Sequence, residues 1–194
     1  YPVEKENNSL IDDFGLRDKK VVMYSGNLGR YQPLDIMINA AEELKDREDI
    51  VLIFVGDGAK KEKLQEIVKN KNLENVKFYP FQSMERLAES LSMADVSLMG
   101  ILPENEGVIM PSKLYGLLAV GKPIICVSDP MSEVVDILTK AGAGIHTDIN
   151  DANSLAFNIL SILDDPEKAE KMGENGRQFF LKNFERKNLT MQWK

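Results

Sequence analysis

VVMYSGNLGRYQPLDIMINAAEELKDREDIVLIFVGDG, residues 21–58, holds two short apolar runs with an amphipathic segment between them. VVMYS (Val21–Ser25) and IVLIFV (Ile50–Val55) carry apolar side chains at almost every position. That is the pattern of strands buried on both faces. Between them, Leu34, Met37, Ile38, Ala41 and Leu44 fall on one face of a helix. The charged turn KDRED then returns the chain to the second strand. Strand, helix and second strand in this order predict a parallel pair with its crossover helix.

The same alternation runs outward in both directions. After GDG comes a lysine-rich helix that points Leu64, Ile67 and Val68 inward, and VKFY is a third, short strand. SMERLAESLSM predicts a helix with Met84, Leu87, Ala88 and Leu91 aligned and Ser83 as its cap. DVSLM is a strand, Ser112–Val120 a helix and PIICV a strand; SEVVDILTK is a helix closed by Gly142, and GAGIHT a last strand. From Asp151 onward the chain is helical, first with Leu155, Ile159, Leu160 and Leu163, then with Ala169, Met172, Phe179 and Phe180. No internal repeat and no low-complexity tract interrupts it. The expected fold is α/β, a doubly wound, Rossmann-like parallel sheet, which binds ligands beyond the carboxyl ends of its strands.

Composition narrows the function classes. The 194 residues carry a formal charge of −7, with an isoelectric point near 4.9. A general nucleic-acid binder would show a basic face instead, so no nucleic-acid partner is expected. No stretch approaches the roughly 20 apolar residues of a membrane span. The single cysteine, Cys126, lies in an apolar run and reads as a buried small hydrophobe, which favours a reducing, cytoplasmic setting. His146 has no cysteine or histidine near it in sequence, so no metal site is expected, and the nine methionines read as core filler. The polar start YPVEKENNS reads as a cut within a linker of a longer protein.

Chemistry is expected in the loops. SGNLGRYQP follows the first strand: Gly26 and Gly29 let backbone approach a ligand, and Arg30 suits bidentate phosphate contact. The spacing is not GxGxxG, and no acidic residue ends the second strand, which disfavours a dinucleotide. VGDG reads as a tight strand-to-helix turn, with Lys60, Lys61 and Lys63 on a solvated helix face. In YPFQS, Phe81 and Gln82 suit stacking on a nucleobase and bonding to its edge; closing the core is the equal alternative for Phe81. GILPENEGVIMPSKLYG leads into a helix whose first turn holds Ser112 and Lys113, where free N–H groups and an ammonium together favour an anion.

The glycine loop with arginine, then VGDG, then PSKLYGLLAVGKPII, with MGENGRQFF near the end, resemble in order the C-terminal, donor-binding domain of retaining GT-B glycosyltransferases, glycosyltransferase family 4 (group 1). The resemblance covers nearly the whole chain, and PSKLYGLLAVGKPII is similar to a bacterial and archaeal branch that makes surface polysaccharides and lipid-linked glycans. It implies one half of a two-domain GT-B fold, with residues 1–18 as linker and lead-in, 19–165 as the nucleotide-sugar domain and 166–194 as helices packing toward an N-terminal domain. It implies a nucleotide-diphosphate sugar, UDP-linked by family frequency, as ligand. The acceptor, a glycan or lipid-linked molecule, would meet the other domain, and the full protein would work in the cytoplasm or at the inner membrane face. No cofactor is implied.

By the same resemblance, Gly26, Asn27, Gly29, Arg30, Ser112 and Lys113 would lie at the donor diphosphate, and Gly56, Phe81 and Gln82 at the nucleobase. Gln32 and Pro33 stand where relatives often carry a further lysine. The family's two glutamates fall on Val108 and Gly116, neither acidic; Glu106 would replace the first if the loop shifts by two residues. Glu106 and Lys113 are therefore the candidate catalytic groups. The rival readings are a nucleotide-sugar epimerase, a binding or scaffold domain that kept the fold without catalysis, and a phosphate-binding dehydrogenase.

Overall fold

A computed structural model describes residues 2–103 and 112–184. Six parallel strands form one sheet in the order β3-β2-β1-β4-β5-β6. They are β1 (Lys20–Ser25), β2 (Ile50–Val55), β3 (Val76–Tyr79), β4 (Val96–Gly100), β5 (Ile124–Ser128) and β6 (Gly144–Asp148). The helices are α1 (Ser9–Asp13), α2 (Leu34–Glu43), α3 (Lys61–Asn70), α4 (Leu87–Ser92), α5 (Lys113–Val120), α6 (Glu133–Ala141), α7 (Ala152–Leu163) and α8 (Pro166–Asn183). This is the expected doubly wound arrangement.

Side chains alternate across the sheet, and each face has its own core. Val22, Tyr24, Leu52, Phe54, Leu98 and Val127 face α2, α3 and α7. Val21, Met23, Ile53, Met99 and Cys126 face α1, α4, α5 and α6. Full burial of each such aliphatic or aromatic side chain contributes about 1.5–3 kcal/mol. The α2 face predicted from periodicity is buried throughout, from Leu34 to Leu44. Register follows from the same pattern: Val22 lies opposite Leu52 on one side and opposite Val96 on the other.

Two local expectations fail. Ser83 makes no side-chain cap; it precedes a 3-10 turn at Met84–Arg86, and α4 begins only at Leu87. The tighter turn rotates the apolar face, so Met84 is 78% exposed and Leu87 40%, while Leu91 alone of the larger residues reaches the core. Within residues 2–18, Leu10, Ile11 and Leu16 are buried in the second core. At the other end of the chain, α8 packs on α5 and α6. Gly173 permits that approach, because a Cβ there would stand 2.1 Å from the Gly121 carbonyl oxygen.

Candidate functional site

β1 and β4 are neighbours, but the helices that follow them, α2 and α5, leave to opposite faces of the sheet. This reversal opens a crevice above the carboxyl ends of β1 and β4, the position where such sheets take ligands. The loop from Gly26 to Pro33 forms one wall and the start of α5 the other. Glu106 and the Val108 position, both singled out from the sequence, lie outside the described residues.

Lys113, the first residue of α5, reaches into this crevice and meets the end of β1. Its Nζ donates to the Tyr24 hydroxyl at 2.8 Å and stands 4.0 Å from the Tyr24 ring centroid. The hydroxyl in turn donates to the Asn27 carbonyl at 3.0 Å. Gly26 leaves room for the ammonium, since a Cβ there would lie 2.9 Å from Nζ. Among the described residues no carboxylate pairs with Lys113. Burial lowers its pKa to about 8, with the neighbouring Cys126 acting in the opposite direction. Burial also pushes the Tyr24 phenol well above its ordinary value, so it stays neutral at physiological pH.

The glycine loop is braced from β2. Gly26 N–H donates to Val55 O and Leu28 N–H to Asp57 O, while Lys60 N–H donates to Leu28 O. Gly56 has φ near +155°, and a Cβ on it would fall 2.0 Å from the Gly26 carbonyl oxygen. Its glycine is therefore required by the stacking of one loop on the other. Lys60, expected on a solvated helix face, instead holds the end of the loop: Nζ bonds Gln32 O at 3.0 Å and Asp35 Oδ2 at 2.8 Å. Arg30 is exposed on this loop.

Phe81 is 55% exposed, which removes the core-closing alternative. Its ring edge lies beside Gly56, 3.4 Å from where a Cβ would be. Gln82 ties its amide nitrogen to Pro80 O at 2.9 Å, leaving its amide oxygen as an acceptor. Ser112 is the exposed residue before α5 and makes no side-chain cap. Gly116 points toward α4, where a Cβ would meet Leu91 Cδ1 at 3.2 Å.

The structure thus brings Gly26, Asn27 and Lys113 together around Tyr24, with Gly56 and Phe81 further along the same edge. Sequence reasoning missed Tyr24. The available signal was a tyrosine at the penultimate position of a buried strand, since a buried phenol needs a partner. His146 Nε2 donates to Ser128 O at 2.9 Å, a bond between β6 and the end of β5. No group of three metal-ligating side chains occurs among the described residues. A cavity of about 680 Å³ opens at the opposite, amino edge of the sheet, between the N-terminal segment and α8; Lys5 and Asp95 on its wall are paired with each other.

The family described as "Glycosyl transferases group 1" matches residues 8–179. WcaI of Escherichia coli (strain K12), named as a colanic acid biosynthesis glycosyl transferase, is 28% identical over all of this chain and 47% of its own length. Anabaena Alr3699/HepE, crystallised in complex with UDP-glucose, superposes with a TM-score of 0.80 at 19% identity, over 95% of this chain and 50% of that one. The C-terminal domain of a group 1 glycosyl transferase (LpcC) from Francisella tularensis gives 0.79 at 16% identity, covering 96% of each chain. The chain spans about half the length of the curated relatives it matches.

Proposed function

The chain belongs to the glycosyl transferases of group 1, and from that premise we propose that it is the donor-binding half of an enzyme of the family 4 type. It binds a nucleotide-diphosphate sugar, with UDP as the carrier, at the crevice between β1 and β4. The observation that carries this reading is the Lys113 ammonium, brought by the start of α5 against the Gly26 backbone without a carboxylate partner among the described residues.

The chemistry explains the arrangement. As the bond from sugar to diphosphate breaks, negative charge grows on the departing oxygens, and donors fixed in place stabilise that charge most when it is largest. Lys113 supplies a full charge, the Asn27 and Gly29 N–H groups, Arg30 and Ser112 supply further donors, and Gly26 gives close approach. Phe81 stacks on the base and Gln82 meets its edge, with Gly56 giving close approach. Glu106 grips the transferred sugar. The reaction retains anomeric configuration, and the acceptor is a glycan or lipid-linked molecule of surface polysaccharide synthesis, held by an N-terminal domain at the cytoplasmic membrane face. Residues 1–18 link to that domain, 19–165 bind the donor and 166–194 pack toward it. This chain by itself binds without turning over. No described helix is long and apolar enough to cross a membrane.

Calorimetric titration with UDP, GDP and ADP tests the reading, on the wild type and on Lys113→Ala and Arg30→Ala. One nucleotide should bind, and both variants should weaken it. Equal binding by the wild type and Lys113→Ala would overturn the assignment. A second reading, a binding domain without catalysis, draws on Gly116, which stands where a family glutamate is expected. Tight nucleotide binding without sugar transfer by the full-length protein would favour it.

A further inference from the structure

We propose that Tyr24 is a positioning residue: its buried hydroxyl fixes the Lys113 ammonium in the crevice before any ligand arrives, an inference that rests on the donor-binding reading above. Tyr24 has no exposed surface and sits on β1, the central strand against which both walls of the crevice are built. A phenol carries one proton. Here that proton goes to Asn27 O, 3.0 Å away, so the oxygen lone pairs are turned to Lys113 Nζ at 2.8 Å. The direction of the bond is thereby settled, and the ammonium cannot be replaced by a group that needs to accept. The ring face, 4.0 Å from Nζ, attracts the same charge by its quadrupole.

An ammonium has three donors. Tyr24 takes one, and no other acceptor bonds Nζ among the described residues. The remaining donors stand beside the Gly26 backbone, where a side chain would obstruct them. A lysine free to swing would lose rotamer freedom on binding an anion, at a cost in affinity. A lysine already held by Tyr24 has lost it on folding. The same hydroxyl, through Asn27 O, ties the lysine of one wall to the glycine loop of the other.

A double-mutant cycle tests this, with UDP affinity measured for the wild type, Tyr24→Phe, Lys113→Ala and the double variant. Tyr24→Phe keeps the ring and removes only the hydroxyl. It should weaken UDP about tenfold, a step of about 1.4 kcal/mol, and have no further effect in the Lys113→Ala background. Additive losses would mean that Tyr24 acts through the fold, and would overturn the proposal, as would unchanged affinity of Tyr24→Phe. If the wild type binds no nucleotide, the donor-binding reading fails separately, and positioning is then read on the lysine itself. In chain labelled at lysine Cε, the Lys113 resonance should be shifted from the bulk lysine signals and return toward them in Tyr24→Phe; an unmoved resonance refutes positioning. If Tyr24→Phe does not fold, Lys113→Arg serves instead. Its planar guanidinium keeps the charge but cannot occupy the ammonium's place on the phenol, so wild-type behaviour of that variant, in affinity or in heat stability, would count against the inference.

Discussion

Replacing Lys113 by methionine should make the protein more stable while removing the ammonium of the proposed anion site. The fall of the lysine pKa from 10.5 to about 8 corresponds to about 3 kcal/mol against the charged form in the folded state. Methionine keeps the apolar stem and drops that cost. The lowered pKa is already net of what the Tyr24 ring and hydroxyl return to the charge, so the change forfeits only the bond a neutral amine would keep to Tyr24, about 1 kcal/mol. The net gain is about 2 kcal/mol at pH 7, or a rise in Tm of about 4–8 °C for a domain of this size. The sign of the pH dependence follows from the lowered pKa. Below pH 8 the lysine is charged in both folded and unfolded chain, so the penalty is fully present. Between pH 8 and 10.5 the unfolded chain holds the proton more tightly, and wild-type stability rises until the penalty is gone. Thermal denaturation followed by circular dichroism at pH 7 and pH 10.5, on wild type and Lys113→Met, reads both points. A variant less stable at pH 7, or a difference that does not shrink as the pH rises, would refute the claim that the lysine is held against its own solvation.

Three further outcomes are expected. Arg30→Ala should weaken UDP binding about tenfold or more while leaving Tm within about 1 °C, because Arg30 is exposed and exposed positions contribute little to stability; calorimetry and a melting curve check this together. Gly173→Ala puts a Cβ 2.1 Å from Gly121 O, a backbone clash that no rotamer relieves, so despite better helix propensity it should cost about 1–2 kcal/mol in urea denaturation. Asp164 accepts from Arg47 and Lys20, which hold its carboxyl well below the usual range. Asp164→Asn should lower stability at pH 7 by under about 1 kcal/mol, as exposed pairs do, and the difference from wild type should shrink as the pH falls below about 4, where the unfolded carboxyl takes up its proton first.

How far the sequence discloses this molecule depends on the range of the interaction. Strands β1 and β2 were legible because burial on both faces needs unbroken apolar runs, and α2 because its period matched a single buried face. Met84 and Leu87 follow the same helical period and yet are exposed. Periodicity assumes 3.6 residues per turn, and the 3-10 turn at Met84–Arg86 breaks that assumption. The glycine of VGDG looked like turn chemistry in isolation. Its cause is Gly26, 30 residues earlier, whose carbonyl occupies the space of a Cβ. Lys60 follows the same rule, since its partners Gln32 and Asp35 lie at the end of another loop and in the first turn of α2. Lys113 was legible as an ammonium at a helix start, but its neighbours were not. The phenol beneath it is 89 residues away in the chain.

Gly116 bears on how the proposed site divides its work. The resemblance expects a glutamate there, holding the ribose hydroxyls. In this fold α5 lies close to α4, and a Cβ at residue 116 meets Leu91 Cδ1 at 3.2 Å. Any side chain there would ask the end of Leu91 to give by a few tenths of an ångström. A glycine offers no side chain, so on the donor-binding reading ribose recognition by an acidic group does not come from this position. More of the affinity then has to arise at the diphosphate, where a charged donor gains strength from being partly shielded from water. That is the environment of Lys113: an ammonium over an aromatic ring, with one bond to a neutral phenol and its pKa already lowered. A bound diphosphate would reverse that shift by supplying the missing negative charge, so binding should draw in protons near pH 8, and the destabilising lysine and the absent glutamate become two sides of one design.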